Sequence, residues 1–183
     1  MAKVLVPLAA GCEELEAVTI VDLLRRAGVE VVTAGLQPGI VKASRGTQLV
    51  PDTLLDSVLR DEFDMVVLPG GMPGAQHLTE DSRVQALLKR LAAEGKYTAA
   101  ICAAPMALAA AGLLSGRKAT GYPGMLEKLG LPDVVLQGQA VVRDGKVITS
   151  RGPGTAMDFA LELVEVLAGR DKRHEVEAGL VRS

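Results

Sequence analysis

Short apolar segments alternate with longer amphipathic segments along most of the chain. Continuous apolar runs predict buried strands at residues 3–8, 29–34, 64–68 and 97–101. Apolar residues at helical spacing, or residues that favour helices, predict helices at about residues 15–27, 82–94, 103–112 and 156–168. Continuously apolar strands separated by helices are typical of a parallel sheet covered on both faces. We therefore expect an α/β fold with three layers and a mostly parallel central sheet, formed by residues 1–183 as a single domain.

The remaining segments are less regular. We expect short extended pieces at residues 41–50, a hairpin formed by 140–143 and 146–149 around an Asp144-Gly145 turn, and a short helix or extended tail at 172–183. The N-terminal apolar run of about seven residues is short for an export signal and is followed at once by glutamates. No later run is long enough for a membrane span. These features lead us to expect a cytoplasmic protein.

Composition excludes several classes of function. The chain has 183 residues and a net charge of −2, and it lacks a basic cluster, which argues against nucleic acid or an anionic membrane as a partner. Aromatic residues make up only 2% of the sequence, so base stacking is disfavoured. Its two cysteines, Cys12 and Cys102, cannot form a disulfide framework and lack the spacing of a metal site. We expect neither a metal nor a cofactor.

Cys102 lies where the predicted strand 97–101 gives way to the predicted helix 103–112. A sharp strand-to-helix turn exposes the side chain at its tip and requires small neighbours, here Ala100 and Ala104. The N–H groups of the following helix favour a thiolate over a thiol. The pattern therefore predicts a nucleophile elbow at Cys102. The alternative is that Cys102 is only a small buried hydrophobic residue.

Four unusual segments follow predicted strands and would meet at one edge of the sheet, where ligands bind in such folds. They are Glu13-Glu14-Leu15-Glu16, Pro69-Gly70-Gly71, Cys102 itself, and Ser150-Arg151-Gly152-Pro153-Gly154. Gly70 and Gly71 could aim a backbone N–H at a developing oxyanion, or could only form a tight turn. The segment from Ser150, with Gly152 and Pro153, could form a small wall suited to an anion, or a helix cap. The glutamates could simply favour the start of a helix, and helical phase alone does not fix the direction of Glu16.

Together these segments resemble the ThiJ/PfpI family, in the branch of the parkinsonism-associated deglycase and its bacterial relatives. The resemblance rests on Ala100-Ile-Cys102-Ala-Ala-Pro105, Leu68-Pro-Gly-Gly71, Glu13-Glu-Leu-Glu16 and Ser150-Arg-Gly-Pro-Gly-Thr155, which occur in the family order over nearly the whole chain. It implies a flavodoxin-like sandwich and a homodimer. It also implies that Cys102 is the reactive cysteine, Glu16 its carboxyl partner, and the amides of Gly71 and Ala103 an oxyanion hole. Arg26 and Arg45 match positions that line the pocket near the dimer contact.

The sequence departs from the family pattern beside the cysteine. Peptidase members carry His directly after it, where this chain has Ala103, and the deglycase branch often has His before a downstream Pro, where this chain has Tyr122. A histidine dyad and peptidase activity are therefore disfavoured.

The resemblance and the residues together predict a cofactor-free thiol enzyme acting on α-oxoaldehydes such as methylglyoxal, or on early glycation adducts. Glu16 can help the thiolate only as a protonated acid, because an ionised carboxylate would repel it. A redox sensor or stress-protective chaperone using the same oxidisable cysteine is the alternative. A glutamine amidotransferase is disfavoured because no His-x-Glu follows, and a scaffold role would leave Cys102 unreactive.

Overall fold

A computed structural model describes residues 1–182 of the chain. The strands are β1 (Lys3–Leu8), β2 (Glu30–Gly35), β3 (Val41–Lys42), β4 (Gln48–Leu49), β5 (Thr53–Leu54), β6 (Met65–Leu68), β7 (Tyr97–Ile101), β8 (Lys118–Ala119), β9 (Val135–Leu136), β10 (Val141–Asp144) and β11 (Val147–Ser150). The α-helices are α1 (Glu14–Arg26), α2 (Leu55–Val58), α3 (Gly74–Glu80), α4 (Ser82–Ala93), α5 (Pro105–Ala110), α6 (Ala156–Ala168) and α7 (Arg170–Gly179). Short 3₁₀ turns cover Glu127–Leu129 and Pro153–Thr155.

Seven strands form the central sheet in the order β10-β11-β7-β6-β1-β2-β5. All neighbouring pairs are parallel except β10 and β11 at one edge, which form an antiparallel hairpin. Helices cover both faces of the sheet. This arrangement confirms the predicted flavodoxin-like three-layer sandwich with a mostly parallel sheet.

Two hydrophobic clusters lie on opposite faces of the sheet. Successive strand residues point to opposite faces, so Val4 and Val6 of β1 belong to one cluster and Leu5 to the other. Helices α1 and α6 cover the first cluster, with Phe159 of α6 fully buried in it. Helices α3, α4 and α5 cover the second. Both faces are therefore sealed, and the carboxyl ends of the parallel strands remain as the place for a site.

Helix α4 confirms the prediction made from its apolar spacing. Its buried residues are Val84, Leu87, Leu88 and Leu91. The Asp81 carboxylate begins the helix by accepting the backbone N–H groups of Arg83 and Val84.

Helix α1 follows its predicted range but turns a different face to the core. Leu15 and Val18 are each 50% exposed, whereas Glu16 is fully buried. The core contacts come from Ala17, Ile20 and the Leu23-Leu24 pair, so of the apolar residues at helical spacing Leu23 and Leu24 are buried as predicted, whereas Leu15 and Val18 are not. A carboxyl group is thus placed inside the protein at the start of the helix.

Other boundaries differ from the predictions. Helix α3 was not predicted, helix α5 begins at Pro105 rather than at residue 103, and the hairpin turn is Gly145-Lys146 because Asp144 still pairs with Val147. The C-terminal segment is helical to Gly179, and Ser183 lies outside the described residues. No helix within residues 1–182 has the length and apolar character needed to cross a membrane.

Candidate active site

Cys102 occupies the sharp turn between β7 and α5. Its φ of 64° lies in the left-handed region, which is uncommon for a residue other than glycine. Two hydrogen bonds hold its peptide in place: its N–H donates to the Ser150 carbonyl at 3.0 Å, and its carbonyl accepts the Tyr122 N–H at 2.7 Å. The side chain is 8% exposed, so the sulfur is near the surface of a cavity but largely withdrawn from water.

The Gly70-Gly71 turn after β6 approaches Cys102 so closely that no side chain fits. A Cβ on Gly70 would lie 2.6 Å from the Cys102 Cβ and 2.8 Å from Glu16 Oε2. Gly71 has a φ of 87°, and a Cβ there would lie 2.3 Å from the Glu13 nitrogen. Glycine at both positions therefore lets the backbone of this turn form one wall beside the cysteine.

Glu16 reaches the same point from the first turn of α1. Its carboxyl is fully buried, and Oε2 accepts the Gly70 N–H at 2.8 Å. Burial raises the pKa of Glu16 to about 7, against the opposing effect of hydrogen bonds from Gly70 and the Cys102 thiol. A carboxyl group that is half protonated near neutral pH is therefore in contact with the sulfur.

The environment of Cys102 disfavours a second negative charge. Burial, and then the charge of an ionised Glu16, raise the pKa of the Cys102 thiol to about 12, while the backbone N–H groups of Gly71 and Ala103 act to lower it. The sequence predicted a thiol whose pKa is lowered by the following helix, and the fold instead buries that thiol against a carboxyl group. The two side chains titrate as one pair, which loses its first proton near pH 7 and its second only near pH 12.

A cavity of about 360 Å³ opens in front of the sulfur. Its lining comes from the loops at the carboxyl ends of the strands: Glu13, Ser44, Arg45, Gly71, Met72, Cys102, Ala103, Tyr122, Met125 and Pro153. The Gly71 and Ala103 N–H groups both face Cys102. A negative oxygen formed on a group attached to the sulfur would find these two donors beside it.

The loop that carries Arg45 is tied to the start of α1 by Glu14. The Glu14 carboxylate accepts the backbone N–H groups of Arg45, at 3.0 Å, and of Thr47, at 3.3 Å, as well as the Ser44 hydroxyl. Although desolvation acts in the opposite direction, the hydrogen bonds from the Glu14, Arg45 and Thr47 backbones lower the pKa of Glu14 to about 2. Glu14 therefore remains an anionic anchor for this loop at neutral pH.

The structure brings most of the predicted site residues together. Cys102, Glu16, Gly70, Gly71, Ala103, Arg45 and Pro153 meet at the cavity or directly behind it. Ser150 is fully buried behind Cys102, where its hydroxyl contacts the Ala140 carbonyl and the Thr155 hydroxyl, each at 2.7 Å. Gly152 lines an adjacent cavity that shares Tyr122 and Pro153 with the first.

Arg26 is not brought to the cavity at Cys102. It lies near the far end of α1, ten residues beyond Glu16, which corresponds to about 15 Å along a helix. There it pairs with Asp22 and lines a different cavity, of about 590 Å³, beside Val18 and Val50. Of the two arginines predicted to line the pocket, Arg45 therefore does so within one chain and Arg26 does not.

Sequence reasoning did not identify Ser44, Met72 or Met125 as part of the site. Ser44 lies in the segment 41–50, which the sequence pattern predicted only as short extended pieces, without their position relative to Cys102. Within residues 1–182, no group of three or more His, Cys, Asp and Glu side chains is placed to hold a metal ion.

Comparison with known proteins places this architecture among relatives. The family model described as "DJ-1/PfpI family" matches residues 2–166. "Protein dj-1beta" of Drosophila melanogaster is 49% identical over 178 residues, which cover 97% of this chain and 95% of that protein. "Glutathione-independent glyoxalase DJR-1.2" of Caenorhabditis elegans is 37% identical over 164 residues, covering 90% of this chain and 87% of that one. The structure named "Toxoplasma gondii DJ-1, oxidized" superposes with a TM-score of 0.96 at 41% identity, covering 100% of both chains.

Proposed function

This chain belongs to the DJ-1/PfpI family, and we propose that it is a cofactor-free thiol enzyme that converts α-oxoaldehydes such as methylglyoxal to hydroxy acids. In this proposal Cys102 is the nucleophile, Glu16 the acid and base, and the Gly71 and Ala103 amides the oxyanion hole. Early glycation adducts present the same reacting carbons on a larger group and belong to the same substrate class.

One observation carries the proposal: a fully buried carboxyl group with a pKa of about 7 is in contact with Cys102, the one thiol that lines the cavity within residues 1–182. A group that titrates near neutral pH can both give and take a proton. A relative 37% identical to this chain is named a glutathione-independent glyoxalase, which supports this choice of reaction.

The first step uses the microstate in which the pair has one proton, on Glu16. The Cys102 thiolate attacks the aldehyde carbon, a C–S bond forms, and the carbonyl electron pair moves to the oxygen. The amides of Gly71 and Ala103 stabilise this oxyanion until it takes the Glu16 proton. The products are a neutral hemithioacetal and an ionised Glu16.

The second step is an internal oxidation and reduction. The Glu16 carboxylate removes the hydrogen of the former aldehyde carbon as a proton, and the resulting enediol is reprotonated at the neighbouring carbon. The aldehyde carbon is oxidised to a thioester and the ketone carbon is reduced to an alcohol, so no external oxidant or reductant is consumed. Water then cleaves the thioester, which releases the hydroxy acid and returns the thiol.

The test measures lactate formed from methylglyoxal by the purified protein without glutathione. We expect C102A and C102S to fall to the rate without enzyme. Cys12 provides a matched control because it is also buried but burial raises its pKa to about 11 and it does not line the cavity, so C12A should retain activity. Persistent lactate formation by C102A, in a protein that still folds, would contradict the assignment.

A second candidate function uses the same sulfur without turnover. A related structure is named as an oxidised DJ-1, and the Gly71 and Ala103 amides beside Cys102 suit the negative oxygens of a sulfinate. Each oxygen atom would come from one molecule of a peroxide, with water released. Mass spectrometry after mild peroxide treatment, compared with the steady-state rate, separates the sensor from the enzyme.

A homodimer is the remaining part of the proposal. Leu15 and Val18 on α1 and Val50 after β4 are at least half exposed, and they form an apolar surface that includes the end of the helix with Arg26. Burial of this surface against a second copy would place Arg26 at the contact between protomers. Sedimentation equilibrium of the protein and of V18E tests this, with dimer expected for the first and monomer for the second.

A further inference from the structure

A second cavity adjoins the cavity at Cys102. It has a volume of about 420 Å³ and shares Tyr122 and Pro153 with the first, so these two side chains form a common wall. The rest of its lining is Pro123, Gly138, Ala140, Arg151, Gly152, Gly154 and Thr155. Most of these residues are small, and no acidic side chain of the described part of the chain is among them.

The second cavity is held in a fixed position relative to Cys102. The Tyr122 N–H donates to the Cys102 carbonyl at 2.7 Å, and the Cys102 N–H donates to the carbonyl of Ser150, which directly precedes Arg151. Both sides of the second cavity are therefore bonded to the peptide of the cysteine itself. A substrate attached to the sulfur would extend from a defined origin.

Arg151 provides the one charged group of this lining. Its Nη1 donates to the Gly138 carbonyl at 2.9 Å, which fixes the guanidinium at the cavity wall. Within residues 1–182, no carboxylate lies within 4 Å of this guanidinium and none of its other N–H groups has a protein acceptor. Glu127 and Arg151 both line a smaller neighbouring cavity, but the two side chains form no ion pair. Four N–H donors are thus available to an anion.

The first cavity alone is larger than methylglyoxal requires. Five heavy atoms occupy about 150 Å³ if each takes the volume of a water molecule in the liquid, about 30 Å³. The cavity in front of Cys102 holds about 360 Å³ before the second cavity is counted. The combined space is suited to an oxoaldehyde that is still attached to a carrier molecule.

We infer that Arg151 and the cavity around it form a subsite for the anionic group of a substrate whose reacting carbons lie at Cys102. This inference rests on the proposed function and narrows it: among early glycation adducts of small thiol or amine compounds, the site favours those that also carry a carboxylate or phosphate. The adduct crosses the common wall of Tyr122 and Pro153, and its anion pairs with the Arg151 guanidinium.

The experiment compares matched adducts that differ only in charge. For the carboxylate, the substrates are the methylglyoxal hemithioacetals of N-acetylcysteine and of N-acetylcysteinamide. For the phosphate, they are the methylglyoxal adducts of guanosine monophosphate and of guanosine. We expect the protein to favour one charged member over its neutral partner by about tenfold in kcat/KM, a typical value for one charge-assisted hydrogen-bond pair. The pair that shows the preference identifies the anion.

Variants then locate the preference. R151Q should lower kcat/KM for the charged substrate to that of its neutral partner and leave kcat/KM for methylglyoxal unchanged. R151K should retain part of the preference for the charged substrate. R60Q removes an exposed charge elsewhere and should change nothing. A loss of methylglyoxal turnover in R151Q would mean that Arg151 only supports the loop, and a preference lost in R45Q but kept in R151Q would place the anion at Arg45. Either result overturns the subsite.

A binding measurement separates this inference from the proposed reaction. The unreactive analogue N-acetyl-S-(2-oxopropyl)cysteine and its amide are titrated into C102A, with and without R151Q, by calorimetry. We expect the acid to bind C102A more tightly than the amide does, and this difference to disappear when R151Q is added. If that result were found while the unaltered protein turned over none of the substrates, the subsite would be retained and the reaction refuted. Turnover with no charge preference in rate or binding would refute the subsite and retain the reaction.

Discussion

Glu16 accepts the backbone N–H of Gly70 through Oε2 at 2.8 Å, while its Oε1 is buried and has no hydrogen-bond partner within residues 1–182. The two oxygens of one carboxyl group therefore have different surroundings. An N–H donor favours the unprotonated oxygen, so the proton belongs on Oε1, and the thiol of Cys102 is the polar side chain in contact with this carboxyl. This arrangement lets Glu16 hold a proton beside the sulfur rather than act only as a fixed negative charge.

The raised pKa of Glu16 makes folding stability depend on pH. Burial raises this pKa from 4.5 to about 7, so between these values the folded protein binds the proton that the unfolded chain releases. The free energy of unfolding should therefore fall by at most about 3 kcal/mol as pH rises from 4.5 to 7. Above pH 7 the contribution of Glu16 should remain constant. We expect E16Q to be more stable than the unaltered protein at about pH 8 and similar to it below about pH 5.

Urea unfolding at the two pH values measures this difference. Glu80 is exposed, so E80Q is the matched control and should show no pH-dependent gain. An E16Q protein that loses the same stability at both pH values would contradict the neutral-acid account.

Gly70 should tolerate no larger residue. In G70A the new Cβ would collide with the Cys102 Cβ and with Glu16 Oε2, since it would lie within 2.8 Å of both. Either the turn or the cysteine must move, and we expect a loss of about 1–3 kcal/mol in stability together with loss of activity. G179A is the control because nothing lies within 4 Å of a Cβ there. Thermal unfolding and lactate formation are the two measurements, and an active, equally stable G70A would show that the contact is not as close as described.

Sequence pattern predicted the scaffold well because burial on both faces leaves a strong signal. Strand β7 and helix α6 have the predicted bounds, since each is a continuous run of residues suited to one structure. Helix α3 lacks such a signal: it begins next to Pro73 and buries only Gly74, Ala75 and Leu78. Its packing against α5 is a tertiary contact that local propensity does not record.

The site was predictable in its membership but not in its electrostatics. The turn residues Gly70, Gly71 and Cys102 could be recognised because a close approach of two loops demands small residues. The burial of Glu16 could not be recognised, because Leu15 and Val18 are apolar and so indicated that their own face of α1 is buried, whereas each is 50% exposed. The pKa of the cysteine depends on that burial, and so does the position of Arg26 relative to the cavity.

Glu14 should act as a positioning residue for the Arg45 loop. E14Q keeps the size of the side chain but weakens three hydrogen bonds, to the Arg45 and Thr47 backbones and the Ser44 hydroxyl. We expect KM for methylglyoxal to rise by about three- to tenfold with little change in kcat, since the loop lines the cavity but holds no reacting group. The effect should be constant from pH 5 to 9, because hydrogen bonds keep the Glu14 pKa at about 2.

Steady-state kinetics of E14Q over this pH range provides the measurement, with S44A as a variant that removes one of the same bonds and should show a smaller rise in KM. A fall in kcat with KM unchanged would assign Glu14 a role in the chemistry instead.

The ionisation of Cys102 tests the central claim most directly. The ultraviolet absorbance of the thiolate is measured against pH as the difference between the unaltered protein and C102A, and again in the E16Q background. The account predicts that the thiolate signal of the unaltered protein appears only near pH 12, and that E16Q lowers this midpoint towards 9, the ordinary pKa of a cysteine thiol, because the carboxylate charge is removed while burial still acts. A thiolate midpoint near or below pH 9 in the unaltered protein, or an E16Q variant with an unchanged or raised midpoint, would contradict it.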